Sequence, residues 1–190
     1  MKKDILHEYF SIPNILSYFR LILIPVYLVV YFSADDERGY YWAALVIVIS
    51  GLTDMFDGKI ARHFNMITEW GKLIDPIADK LTMAVVALSL AFRFPLMGVV
   101  FVLYVVKEGF MGIMGLVMLK RGSRMDGAMW YGKVCTAVTY GVIFLLLIVP
   151  MMPGWLRTSL ICLQLAITLF SFIKYAAFYH KVWVDMKKKA

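Results

Sequence analysis

The sequence predicts an all-α, polytopic membrane protein with six transmembrane helices and a short N-terminal interfacial helix, on three observations. The 190 residues are 62% hydrophobic and only 17% charged, where a soluble domain is about half apolar and about a quarter charged. Six apolar stretches, near 14–34, 40–62, 71–93, 96–119, 132–152 and 155–180, each reach the roughly 20 residues that cross a bilayer as a helix. The basic residues stand in short clusters between those stretches. One soluble core of this size cannot hold so much apolar surface, so lipid takes up part of it.

The elements follow in order. Met1 to Ser11 mixes Ile5, Leu6, Tyr9 and Phe10 with Lys2, Lys3, Asp4 and Glu8, the pattern of a helix lying on a membrane surface. It carries no cleavable leader pattern. Pro13-Asn14 turns the chain into the first span. Asp35, Asp36 and Glu37 separate spans one and two, and residues 63–70 separate two and three. Span four holds Lys107-Glu108, and the Arg121–Gly127 connection, with two glycines and a serine, reads as the most flexible loop. Cys135 and Cys162 fall inside apolar stretches and are expected to be buried free thiols. Without repeats or a linker, residues 1–190 read as a single domain.

Charge sets the expected orientation. The net charge is +7 and the pI about 9.4. With six spans, both termini and the loops near 63–70 and 120–131 share one side. That side receives Lys2, Lys3, Lys59, Arg62, Lys72, Lys120, Arg121, Arg124, Lys133, Lys181 and Lys187 to Lys189, against Arg38, Arg93 and Arg157 on the other. The positive-inside rule puts the richer side in the cytoplasm. Basicity so distributed suits an anionic leaflet rather than nucleic acid.

Four aspartates stand where spans two and three meet that side: Asp54, Asp57, Asp75 and Asp79. A carboxylate in an apolar helix costs roughly 2.5–3.5 kcal/mol near the membrane centre and less at its edge. The pairs are spaced i, i+3 and i, i+4, so each projects from one helix face. Four clustered carboxylates repel unless protons or cations neutralise them, and all-oxygen ligands select hard ions such as Mg²⁺ or Mn²⁺. The count suits two metals. The bland alternative pairs them with Lys59, Arg62, Lys72 and Lys80 at the membrane edge. Gly58, Ala61 and Gly71 permit close approach of a ligand or a neighbouring helix. Arg62 stands where a phosphate or a lipid headgroup would meet it.

The stretch Asp54-x-x-Asp57-Gly58-x-x-Ala61-Arg62, eight residues, then Gly71-x-x-x-Asp75-x-x-x-Asp79 resembles the signature of the CDP-alcohol phosphatidyltransferases at every fixed position. Accident would give such a match at about one in 10¹⁰ sites. The resemblance covers the whole chain, since the family has a six-span core with the signature bridging spans two and three. It implies that Asp54, Asp57 and Asp75 bind two divalent cations on the diphosphate of CDP-diacylglycerol. It implies further that Asp79, beside the metals, is the general base for the acceptor alcohol. Asp54, Gly58, Ala61, Arg62 and Gly71 would line the CDP-lipid.

The acceptor signals are mixed. Pro13-Asn14-x-x-Ser17-x-x-Arg20 resembles the opening of phosphatidylglycerophosphate synthases, with serine replacing threonine. Arg20 either snorkels to headgroups or faces a cavity. Lys107-Glu108 stands where those enzymes carry Arg-Glu, and Gly115 where they carry a second arginine. Cardiolipin synthases carry Arg-Asp instead. Gly132-Lys133-x-x-Thr136 lacks the second lysine of the glycerophosphate pattern. Arg20, Lys107, Arg121 and Lys133 are the candidate acceptor contacts, with Arg124 a weaker one; Arg121 and Arg124 also read as ordinary positive-inside charges.

The expected reaction is transfer of a phosphatidyl group to glycerol 3-phosphate, giving phosphatidylglycerophosphate and CMP. Phosphatidylglycerol (a cardiolipin synthase), inositol phosphate and serine are the alternative acceptors. A cation transporter is the alternative from another class, and acidic residues confined to one membrane face argue against it. The expected setting is a bacterial cytoplasmic membrane, and family analogy suggests a homodimer.

Overall fold

A computed structural model describes residues 8–64, 66–120 and 129–189, without the side chains of Arg62 and of residues 185–189. The interfacial helix expected over Met1–Ser11 therefore falls largely outside the described residues, as do the Arg121–Gly127 loop and Arg124. Among the described residues the helices are α1 (Ile12–Phe32), α2 (Glu37–His63), α3 (Glu69–Arg93), α4 (Pro95–Lys120), α5 (Trp130–Ile148) and α6 (Gly154–Lys189).

The helix starts have local causes. Pro13 stands in the first turn of α1, where its missing N–H is no loss. Asp36 caps α2 by accepting from the Gly39 N–H at 2.9 Å, and Thr68 Oγ1 accepts from the Gly71 N–H at 2.9 Å at the start of α3. Each satisfies a donor that the first turn leaves open. Proline opens α4. Pro76 lies inside α3, where its ring leaves the Lys72 carbonyl without an i+4 donor.

Among the described residues four helices are long and apolar enough to cross a membrane: α1, α4, α5 and the Gly154–Val184 part of α6. The expectation of six met α2 and α3 as helices of 27 and 25 residues. Both are less apolar because they carry the charges of the signature, with Arg38, Lys59, Glu69, Lys72 and Lys80 besides. Val29, Ile113 and Ile173 are among many large apolar side chains left exposed, a surface that belongs in lipid and marks a membrane protein.

The chain forms two compact units, one running to Ser89 with Leu147–Met151, the other Leu90–Leu146 with Met152 onward. In the first, α1 packs along α2. The Tyr27 hydroxyl on α1 meets the Ser89 hydroxyl on α3 at 2.7 Å, both buried. In the second, α4 packs on α6, and Met118, Tyr131, Tyr175 and Tyr179 form a buried cluster flanked by Phe110, Met114 and Phe178. The Tyr131 and Tyr175 rings meet edge-on at 4.7 Å, a favourable aromatic geometry.

Cys135 is buried, but Cys162 is exposed, against the expectation that both thiols are buried. Cys162 lies on an outward face of α6, and on a membrane-length helix lipid can solvate a thiol as a core would.

Candidate functional site

The first unit gathers the acidic residues around one face of α1. Asn14, Ser17 and Arg20, spaced i, i+3, i+6, are 1%, 0% and 1% exposed. The remaining faces of α1 present Ile12, Ile15, Phe19, Ile22, Val26 and Val29 outward. A buried polar stripe on an apolar helix needs partners, since a buried unsatisfied group costs about 1–3 kcal/mol.

The partners are the signature residues. Arg20 spans both carboxylates of α2: Nη1 lies 2.6 Å from Asp54 Oδ1, and Nη2 donates to Asp57 Oδ2. Asp57 is buried and Asp54 half-exposed. The i, i+3 spacing puts the two carboxylates on one face of α2, where the rigid fork of a guanidinium reaches both. Ser17 Oγ donates to Asp75 Oδ1 on α3, with the Pro13 carbonyl at 3.1 Å as the alternative acceptor for its one proton. Asp54 and Asp75 both lie within electrostatic reach of Asp57. Three signature carboxylates thus converge at the inward face of α1.

Asn14 closes the same stripe. Its Nδ2 donates to the Glu8 carbonyl at 2.7 Å, and its Oδ1 accepts from Thr68 Oγ1 at 3.2 Å. Gly71 is buried beneath it: a Cβ there would stand 2.6 Å from Asn14 Oδ1 and 2.9 Å from Thr68 Oγ1. The glycine therefore allows α1 and the first turn of α3 to touch. The Trp70 N–H donates to Glu8 Oε1 at 2.8 Å, and its indole N–H to the Tyr18 hydroxyl at 2.6 Å.

The other expected site residues divide. Asp79 is partly buried one turn beyond Asp75, and Gly58 and Ala61 are partly buried on α2. The backbone of Arg62 ends α2, its side chain lying outside the description. In the second unit, Lys107 is buried, its Nζ 2.6 Å from Glu108 Oε1. Lys133 is exposed on α5, and Arg121 lies outside the described residues.

The donor set fits a hard divalent cation, because Asp54, Asp57 and Asp75 offer only carboxylate oxygens. Among the described residues no three His, Cys, Asp or Glu side chains stand grouped as ligands of one ion; two of the carboxylates are turned to Arg20 and the third to Ser17. Sequence reasoning missed Ser17 and Asn14 as members of this site. Their signal was the period: three polar residues at 14, 17 and 20 along one face of an otherwise apolar helix.

Comparison with known proteins gives the family of the chain. The profile of the CDP-alcohol phosphatidyltransferase family matches residues 10–184. The chain is 40% identical over 80 residues to a CDP-diacylglycerol–glycerol-3-phosphate 3-phosphatidyltransferase of Rickettsia typhi, covering 42% of this chain and 44% of that protein. It is 41% identical over 80 residues to the protein of that name from Salmonella typhimurium, covering 40% and 41%. It is 33% identical over 132 residues to a probable phosphatidylglycerophosphate synthase of Mycobacterium tuberculosis, covering 67% and 61%. The chain thus spans about half the length of the curated relatives it matches.

Proposed function

Because the chain belongs to the CDP-alcohol phosphatidyltransferase family, we propose that it transfers a phosphatidyl group from CDP-diacylglycerol to glycerol 3-phosphate, giving phosphatidylglycerophosphate and CMP. The observation that carries the reading is the convergence of Asp54, Asp57 and Asp75 on the inward face of α1. The names of the matched relatives support the donor and the acceptor.

Asp54, Asp57 and Asp75, with Asp79 beside them, would hold two Mg²⁺ or Mn²⁺ ions. Such ions supply charge stabilisation for the diphosphate and the departing CMP. The residues of the chain do the rest. Gly58 and Ala61 keep the α2 face low, so that the nucleotide approaches the backbone. Asp79, one turn beyond Asp75, takes the proton of the attacking hydroxyl. Arg62, whose backbone ends α2, belongs to the nucleotide-binding set on family grounds.

In the same reading α2 and α3 also span the membrane. At 1.5 Å per residue they are about 40 Å and about 37 Å long, more than the roughly 30 Å hydrocarbon core. Both termini and the aspartates then lie on the cytoplasmic side, where the basic residues concentrate. A homodimer is part of the reading on family grounds alone.

The test uses purified protein in detergent or nanodiscs with Mn²⁺ and labelled CDP-diacylglycerol, the products separated by lipid chromatography. Glycerol 3-phosphate should yield labelled phosphatidylglycerophosphate and release CMP. A product with phosphatidylglycerol alone would move the chain to cardiolipin synthesis. No product with any alcohol would overturn the transferase reading.

A further inference from the structure

We propose that the buried polar stripe of α1 is the positioning element of the carboxylate site, with Ser17 aiming Asp75 and Arg20 holding Asp54 and Asp57 as a pair. The proposal rests on the metal reading above and assigns to these residues an action through the aspartates rather than on substrate.

The case begins with cost. Arg20 is almost fully enclosed, and neither its Nε nor its Nη1 makes a hydrogen bond, the contact of Nη1 with Asp54 being an ion pair. A buried ion pair with an unfilled donor is weak evidence for stability. Packing alone would be served as well by an apolar side chain at position 20. What the guanidinium supplies is geometry: two Nη groups a fixed distance apart, Nη2 hydrogen-bonded to Asp57 and Nη1 in ionic contact with Asp54. Without it, two like charges on one face of α2 would repel and spread. Ser17 does the same for α3 with a single donor, enclosed at 0% exposure beside Asp75.

The stripe also sets depth. Asn14 binds Thr68 across the helix pair, and Thr68 in turn caps α3. The start of α3 is thereby registered against α1 two turns before Asp75. Groups behind metal ligands commonly fix ligand orientation, and their loss costs about 10–100-fold in metal affinity or activity.

The decisive experiment titrates Mn²⁺ into the full chain, following the free-ion EPR signal, alongside turnover with CDP-diacylglycerol and glycerol 3-phosphate. Ser17→Ala should lower Mn²⁺ affinity about 10–100-fold, with KM for the acceptor unchanged at saturating metal. Ser17→Thr, which keeps the hydroxyl, should restore it. Arg20→Lys keeps the charge but loses the fork, and should weaken Mn²⁺ binding in the same direction. A merely structural stripe would lower the melting temperature and leave the affinity of the folded protein intact. Wild-type affinity and turnover in Ser17→Ala would overturn the proposal. Asp75→Asn separates the two readings. If it leaves Mn²⁺ binding unchanged, the metal reading fails, and the stripe is then judged on turnover: loss in Ser17→Ala restored by Ser17→Thr sustains it, and equal turnover overturns it.

Discussion

The hydroxyl of Ser17 on α1 donates to a carboxylate oxygen of Asp75 on α3, a contact between residues 58 positions apart in the chain. One helical turn further along α1, Arg20 reaches the two aspartates of α2. Helix α1 is therefore built into the acidic site, touching both signature helices, and it contributes none of the signature's own residues.

Asp79 and the other aspartates should fail in different ways. Asp79→Asn is expected to lose about 10²–10⁴-fold in turnover, the usual worth of a general base, while still binding Mn²⁺. Asp57→Asn is expected to lose Mn²⁺ binding and turnover together. Parallel EPR titration and CMP-release assays separate these outcomes, and activity persisting in Asp79→Asn removes it as the base.

Chelation gives the companion measurement. EDTA should abolish CMP release, and added Mn²⁺ or Mg²⁺ should restore it, because the carboxylate oxygens form a hard-ion donor set. Turnover indifferent to EDTA would show that the carboxylates act without a metal.

Gly71→Ala should destabilise the protein by about 1–3 kcal/mol, the usual cost of overpacking. Its Cβ meets Asn14 Oδ1 and Thr68 Oγ1, and both are already engaged in hydrogen bonds. Gly51→Ala and Gly109→Ala are the controls: a Cβ at either meets nothing within 4 Å, so alanine there should be neutral or slightly stabilising. Thermal unfolding in detergent compares the three. Equal melting temperatures would show that α1 and α3 are not in tight contact.

Gly132→Ala should disturb the tyrosine cluster of the second unit. A Cβ at Gly132 would overlap the Tyr175 hydroxyl, and that ring packs on Tyr131 and Tyr179. Tyr175→Phe removes the overlapping atom and leaves ring carbons at 3.0 and 3.2 Å. The double variant should therefore melt above Gly132→Ala alone, and failure of that partial rescue would exclude the overlap as the cause.

Much of this molecule was legible in its sequence, for physical reasons that also mark where legibility ended. The aspartates were visible because a charge in an apolar stretch is costly and their spacing put each pair on one helix face. The apolar faces of α1, α4, α5 and α6 were visible by length and composition. α2 and α3 were harder to class, since the charges that advertise the site also lower the hydropathy of its helices. The partners of Arg20 could not be read, because they lie 34 and 37 positions away on α2 (54−20 and 57−20). For Cys162 the sequence held its apolar surroundings but not which side of α6 it faces.

The long-range pairs of α1 also bear on how the protein is made. Translation delivers α1 before its partners exist, so Arg20 enters the bilayer as a lone charge, at less than the roughly 2.5–3.5 kcal/mol of the membrane centre because its partners lie toward one face. Asp54 and Asp57 arrive one helix later, and Asp75 with Thr68 one helix after that. Each arrival neutralises or satisfies a group the previous helix left open. In the order of synthesis, then, the polar groups of α1 meet their partners only once α2 and α3 have followed it.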